Sequence, residues 1–319
     1  MAVYTHVPAD AMAALAARYG VGTVLSAKGI AEGVQNSNYL VDTEGGRFIL
    51  TLYEQQVEAG DLPFFLALLD HLADRGLPVP RALKDRDGVQ VQDLCGRPAC
   101  LIEFLPGISL TTPSPAQARA TGRALGAMHA ALADFPLDRP NALGIAGWRA
   151  LAGRCGASVD EIAPGFAARI ADELDWLEAH WPTDLPRAVI HADLFPDNVL
   201  MLGDDVTGMI DFYFACTEVR AWDIAVTHSA WAFSPDGATH DADVGAALLA
   251  GYAETFALTD AERAALPILA RGAALRFTLT RAWDWLNTPA DALVTRKDPL
   301  AFLRRLDVYG AQGAEIFAA

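Results

Sequence analysis

Residues 191–198 read His-Ala-Asp-Leu-Phe-Pro-Asp-Asn, a spacing of H-x-D-x-x-x-x-N, and Asp211 follows eighteen positions after Asp193 in Met-Ile-Asp-Phe-Tyr. Phosphoryl transfer needs an aspartate that positions an acceptor hydroxyl and takes its proton. It also needs hard amide and carboxylate oxygens that hold Mg²⁺ on a polyphosphate. On that chemistry Asp193 is catalytic, and Asn198 and Asp211 are metal ligands. Each residue alone is an ordinary turn former. Their joint spacing, expected by chance about once in fifty chains of this length, points to a hydroxyl kinase. His191 reads as a ring that holds the loop through hydrogen bonds, and Asp223, in Ala-Trp-Asp-Ile-Ala, as a buried carboxylate that braces it.

Apolar runs at 188–190, 199–202 and 208–210 flank these residues, as a loop between short strands requires. Long helical patterns surround the segment at 114–133, 164–181, 241–256, 260–287 and 299–317. The first of them opens with Ser114 as cap and Pro115 in the first turn. Before Pro106-Gly107 the pattern differs. A short helix at 9–19 is followed by β-prone runs at 24–25, 37–41, 47–53, 89–94 and 99–104, with one helix at 62–75 between the third and fourth. The chain therefore reads as an α+β protein of two lobes: residues 1–105, an antiparallel sheet with a helix across it, and residues 106–319, mostly helical.

The first lobe offers the nucleotide side. Gly29, Gly33, Asn36 and Ser37 lie in a hairpin whose backbone N–H groups can wrap phosphates, although any hairpin turn can carry two glycines. In protein kinases a third-strand lysine pairs with the α- and β-phosphates; the matching run here, Phe48-Ile-Leu-Thr-Leu-Tyr-Glu, has Thr51 in that place. Either Thr51 contributes only a hydroxyl, with Lys28 or another cation supplying charge, or nucleotide binding is weaker. Without that lysine, Glu58 and Asp61 read as surface or capping residues. The run 99–107 is either a hinge whose backbone at Glu103 and Leu105 pairs with adenine, or a buried strand followed by a turn.

Across 319 residues, 52% are hydrophobic and 20% charged, enough for a large core. Lys and Arg number 24 against 40 Asp and Glu, a formal charge of −16, which repels nucleic acid and anionic lipid. No stretch reaches the roughly 18 uncharged apolar residues of a membrane span, and no basic leader opens the chain, so a cytoplasmic protein is expected. The four scattered cysteines lack a C-x-x-C pair and read as reduced thiols.

With these residues assembled, the chain resembles the aminoglycoside-phosphotransferase-like kinases, which have a two-lobed, protein-kinase-like fold. Within them it is similar to the homoserine kinases of that fold. The likeness spans nearly the whole chain. It rests on residues 28–39 (Lys-Gly-Ile-Ala-Glu-Gly-Val-Gln-Asn-Ser-Asn-Tyr), on 48–54, on Asp61-Leu-Pro-Phe-Phe, on 191–198, and on 210–216. It implies ATP and Mg²⁺ as cofactors, L-homoserine as the small-molecule partner, O-phospho-L-homoserine as product, and threonine at the third-strand position as a subgroup trait. Aminoglycoside, choline or sugar acceptors remain alternatives within the superfamily, and a nucleotide-binding regulator without turnover is the alternative outside it.

A homoserine acceptor needs cations for its carboxylate and a carboxylate for its ammonium. The helix 273–287 supplies Arg276, Arg281 and Asp284 in an otherwise apolar run, and Tyr213 lies just past Asp211. One arginine would bind the carboxylate while Asp284 meets the ammonium, or Arg281 and Asp284 form an intrahelical salt bridge. Trp283 and Trp285 read as core aromatics.

Overall fold

The computed structural model describes residues 5–30, 36–54, 59–288 and 296–318, and the chain divides into two compact units, residues 1–106 and 107–319. Gly33 and Glu58 lie outside the described residues.

In the first unit, helix α1 (Ala9–Tyr19) ends at Gly20, whose φ of 69° is the left-handed stop expected after Tyr19. Strands β1 (Val24–Gly29), β2 (Asn36–Thr43), β3 (Gly46–Tyr53), β4 (Gln92–Leu94) and β5 (Arg97–Glu103) form one antiparallel sheet in the order β1-β2-β3-β5-β4. Alternation along β3 turns Leu50 and Leu52 into a core with Tyr39, Val41, Leu101 and the Met12, Leu15 and Tyr19 face of α1. The sheet thus packs against α1, and helix α2 (Leu62–Asp74) lies within the range expected for a helix. The run expected as a strand from 89 begins only at Gln92. The Asp85 carboxylate accepts from the N–H groups of Asp87 (2.9 Å) and Val89 (2.8 Å), which makes the preceding residues a turn.

The second unit holds two small antiparallel ladders among its helices. Strand β6 (Arg187–Ile190) pairs with β9 (Cys216–Val219), and β7 (Val199–Leu202) with β8 (Asp205–Met209). The loop 191–198 joins β6 to β7, and residues 210–215 join β8 to β9.

Helices α3 (Pro115–Ala131), α4 (Ile145–Cys155), α5 (Phe166–His180), α6 (Arg220–Trp231), α7 (Ala242–Thr255), α8 (Asp260–Asn287) and α9 (Leu300–Ile316) complete the unit. Ser114 and Gln117 cap α3 reciprocally, as Ser-Pro at its start suggests. Helices α4 and α6 were not anticipated. Every residue from Ala221 to Trp231 is buried, so α6 has no polar face and no amphipathic period to read.

Helices α3 and α7 approach backbone to backbone. A Cβ on Gly122 would sit 2.0 Å from the Leu248 carbonyl, and one on Gly251 2.0 Å from that of Arg119. That close crossing brings His129 of α3 to Tyr252 of α7 and Asp223 of α6.

Candidate active site

The loop that follows β6 is fastened from every side. His191 is fully buried; its Nε2 donates to the Ile210 carbonyl (3.0 Å) and its Nδ1 accepts from the Asp193 N–H (3.2 Å). That pattern needs the neutral ring, and burial, the largest influence, lowers its pKa in the same direction. Asp223 accepts from the N–H of His191 (2.7 Å) and of Ala192 (2.8 Å), and its Oδ2 lies 3.0 Å from His129 Nε2. His129 Nδ1 is in turn 2.7 Å from the Tyr252 hydroxyl. Burial would raise the Asp223 pKa, but the His129 hydrogen bond and charge, with the backbone N–H groups, hold it below the usual carboxylate value.

This clamp holds Ala192 at φ 63°, a left-handed conformation that costs a side-chain-bearing residue energy. Trp231 Nε1 adds a bond to the Leu194 carbonyl (2.9 Å), and Arg276 donates to the Ala192 carbonyl. His191 and Asp223 each hold backbone of the loop through these hydrogen bonds.

Asp193 follows the strained residue. Its side chain is 16% exposed, with Arg276 at 3.8 Å. Asn198 Nδ2 donates to the Asp193 carbonyl (2.8 Å) and lies 3.3 Å from its Oδ2. The Asn198 amide is therefore oriented with Oδ1 as the oxygen left to offer a cation.

Burial pushes the Asp193 pKa up to about 8, with Arg276 opposing and Asp211 and Asp197 adding repulsion. Asp211 is exposed and sits at φ 64°. Desolvation there, then Asp197, raises its pKa to about 6, while the Tyr213 N–H bonded to it pulls the other way. Crowded carboxylates with high proton affinity are also suited to a divalent cation, and the donor set of an amide and a carboxylate oxygen fits Mg²⁺, which keeps water and phosphate ligands.

The acceptor-side residues separate. Arg276, considered above as a substrate ligand, is only 2% exposed. Its guanidinium sits 4.5 Å from the Phe277 ring and is turned to Ala192 and Asp193, which leaves it no face for substrate. It is a loop anchor instead. Arg281 is half-buried over Phe302 (4.4 Å) and donates to the Asp298 carbonyl (3.3 Å); burial lowers its pKa to about 10. It contacts Asp298 where an intrahelical bridge to Asp284 was the alternative. Asp284 is exposed, its pKa raised by desolvation and lowered by Lys297.

In the first unit, two of the nucleotide candidates are turned inward. Thr51 is 3% exposed and donates to Asn38 Oδ1 (2.8 Å), its neighbour across β2 and β3. Ser37 is fully buried, accepts from the Thr5 N–H (3.0 Å) and donates to Glu54 (2.7 Å). Sheet register thus gives both hydroxyls internal partners in place of a phosphate. Gly29 closes β1 opposite Tyr39, and Asn36 is buried with its Oδ1 unpartnered among the described residues. The Glu103 N–H already donates to the Arg81 carbonyl (2.9 Å), and Leu105 is half-buried.

His129, Trp231, Tyr252 and Lys297 were absent from the sequence reading. A histidine among the small residues of α3 was the available signal for His129. Lys297 could be noticed as the single lysine after residue 84.

The profile of the phosphotransferase enzyme family matches residues 26–267. A homoserine kinase of Zymomonas mobilis subsp. mobilis is 56% identical over 312 residues, covering 97% of each chain. One from Rhizobium rhizogenes is 54% identical over 306 residues, covering 96% of this chain and 95% of its own. A spectinomycin phosphotransferase solved with ADP and spectinomycin superimposes with a TM-score of 0.69 at 14% identity over 99% of both chains, a likeness of fold. By the reach of that profile and by relatives more than half identical along almost its entire length, the chain belongs to the phosphotransferase enzyme family.

Proposed function

We propose that the protein transfers the γ-phosphoryl group of ATP to the hydroxyl of L-homoserine, giving ADP and O-phospho-L-homoserine for threonine synthesis in the cytoplasm. The observation that carries the acceptor is identity of 51–56% over nearly the full length of homoserine kinases. The arrangement of Asp193 beside Asn198 on a clamped loop supports the reaction.

In this reading the acceptor hydroxyl donates to Asp193. As its oxygen bonds to the γ-phosphorus, the bond to the β–γ bridging oxygen breaks, ADP departs, and the proton passes to Asp193 and then to solvent. Burial raises the proton affinity of Asp193, while Arg276 and a bound Mg²⁺ would favour the ionised form that must receive the proton. Asn198 Oδ1 and Asp211 would hold Mg²⁺, which supplies charge neutralisation on the β- and γ-phosphates. The N–H groups around Gly29, Gly33 and Asn36 serve the phosphates, and the backbone at Leu105 and the Glu103 carbonyl serve adenine. Arg281 takes the acceptor carboxylate and Asp284 its ammonium, with Tyr213 shaping the pocket. Among the described residues no helix is long and apolar enough to cross a membrane.

ADP release by purified protein with Mg²⁺-ATP, against L-homoserine, L-serine, choline and kanamycin and a blank without acceptor, tests the assignment. Turnover confined to L-homoserine is expected. Turnover on another acceptor would keep the kinase and overturn the substrate; none on any would overturn both.

A further inference from the structure

Carboxylates dominate the catalytic segment: Asp193, Asp197 and Asp211 lie within nineteen residues, and Asp284 carries a fourth. A nucleotide triphosphate brings more negative charge to such a site, and a transition state spreads charge over the phosphoryl oxygens. Third-strand Thr51 supplies no cation, and Arg276 is buried against the loop. A second source of positive charge is needed.

The chain has three lysines, Lys28, Lys84 and Lys297, and Lys297 alone belongs to the second unit. Its Nζ lies 3.6 Å from Asp197 Oδ2, in the residue that immediately precedes Asn198. The two side chains are 64% and 61% exposed, so water screens the pair and holds it weakly.

Behind Lys297 the backbone is anchored. Asp298 accepts from the Leu300 N–H through Oδ1 (2.8 Å), lies 3.4 Å from Arg304 through Oδ2, and accepts from Arg281 through its carbonyl (3.3 Å). The result is a flexible four-carbon stem on a fixed base, a few ångströms from the catalytic loop. Asp197 directly precedes Asn198, so a cation on its carboxylate lies beside the end of the loop proposed to hold the metal and the γ-phosphoryl group.

We infer that Lys297 leaves Asp197 on nucleotide binding and contacts the γ-phosphoryl oxygens during transfer, as the mobile cation of the catalytic segment. The inference rests on the kinase reading above, but its nucleotide arm needs no acceptor and so stands or falls apart from the choice of homoserine. Asp197 serves as the resting partner, and the acceptor carboxylate is left to Arg281.

The test is calorimetric titration of wild type, Lys297→Met and Lys297→Arg with Mg²⁺-AMP-PNP and with Mg²⁺-ADP, followed by steady-state kinetics. Loss of one charge-assisted contact to the γ-phosphate predicts AMP-PNP affinity weakened about tenfold to a hundredfold in Lys297→Met, with ADP affinity within about twofold of wild type. The same variant should lower kcat by about tenfold or more with KM for L-homoserine nearly unchanged, and Lys297→Arg should recover part of both. Equal shifts for the two nucleotides, no shift for either, or a rise confined to the KM for L-homoserine would each overturn it. Circular dichroism on each variant guards against misfolding, which an exposed side chain gives little reason to expect.

Discussion

The loop 191–194 and the rim formed by Asp197 and Lys297 are held by opposite means. In the loop, a strained backbone is clamped by buried partners: Asp223, His129, Trp231 and Arg276 each bond to main chain or brace a residue that does. At the rim, the ion pair of Asp197 and Lys297 is more than half exposed on both sides. Preorganisation is strongest beside Asp193, the residue proposed to receive the hydroxyl proton at one fixed point. Loose side chains stand where charge must move between ligands. The difference shows which changes should destroy the enzyme and which should merely retune it.

The largest effect is expected at Asp193. Asp193→Asn should lower kcat by about 10² to 10⁴ while nucleotide binding survives. Turnover near wild type would remove Asp193 from the base role and put the clamped loop on a par with the rim.

Next is the clamp. Asp223→Ala leaves two buried backbone N–H groups and a histidine without their shared acceptor, and should cost about 3–5 kcal/mol of stability in denaturant unfolding. A loss under about 1 kcal/mol would mean that the strained Ala192 conformation holds without it.

A smaller effect concerns pH. Asp193 keeps its proton in the folded, metal-free protein up to about pH 8, well above the range in which an unfolded aspartate loses it. The folded state therefore binds more protons across that window, and this contribution to stability is full below about pH 4 and is lost as pH rises toward 8. In the presence of a chelator, Asp193→Asn should become progressively more stable relative to wild type from pH 5 to pH 8. A constant difference in melting temperature would contradict the buried, proton-retaining carboxylate.

The smallest is at Thr51. Thr51→Val removes its bond to Asn38 and should cost about 1 kcal/mol, with nucleotide affinity unchanged. Selective weakening of ATP binding would return Thr51 to the nucleotide side.

The chemistry was legible in the sequence because Asp193, Asn198 and Asp211 lie within one short segment, and so were the first sheet and the capped helices, whose periodicity and punctuation are local. Helix α6 escaped because complete burial erased its period. Arg276 was misassigned because an arginine in an apolar helix announces that it has a partner without naming it; that partner, Ala192, is 84 residues away.

Linear order was thus enough for the fold class and the reaction type, and for proposing a base and metal-binding groups, all of which depend on residue type at short spacing. It left open whether a hydroxyl or a cation faces inward or outward. Register buried Ser37 and Thr51, and the close crossing of α3 and α7 carried His129 to Asp223 over a separation of 94 residues. The anchored turn before α9 brought Lys297 to Asp197 from a hundred residues away. Such contacts depend on which backbones can approach closely enough to exclude water, a property of the packed chain that no local pattern encodes.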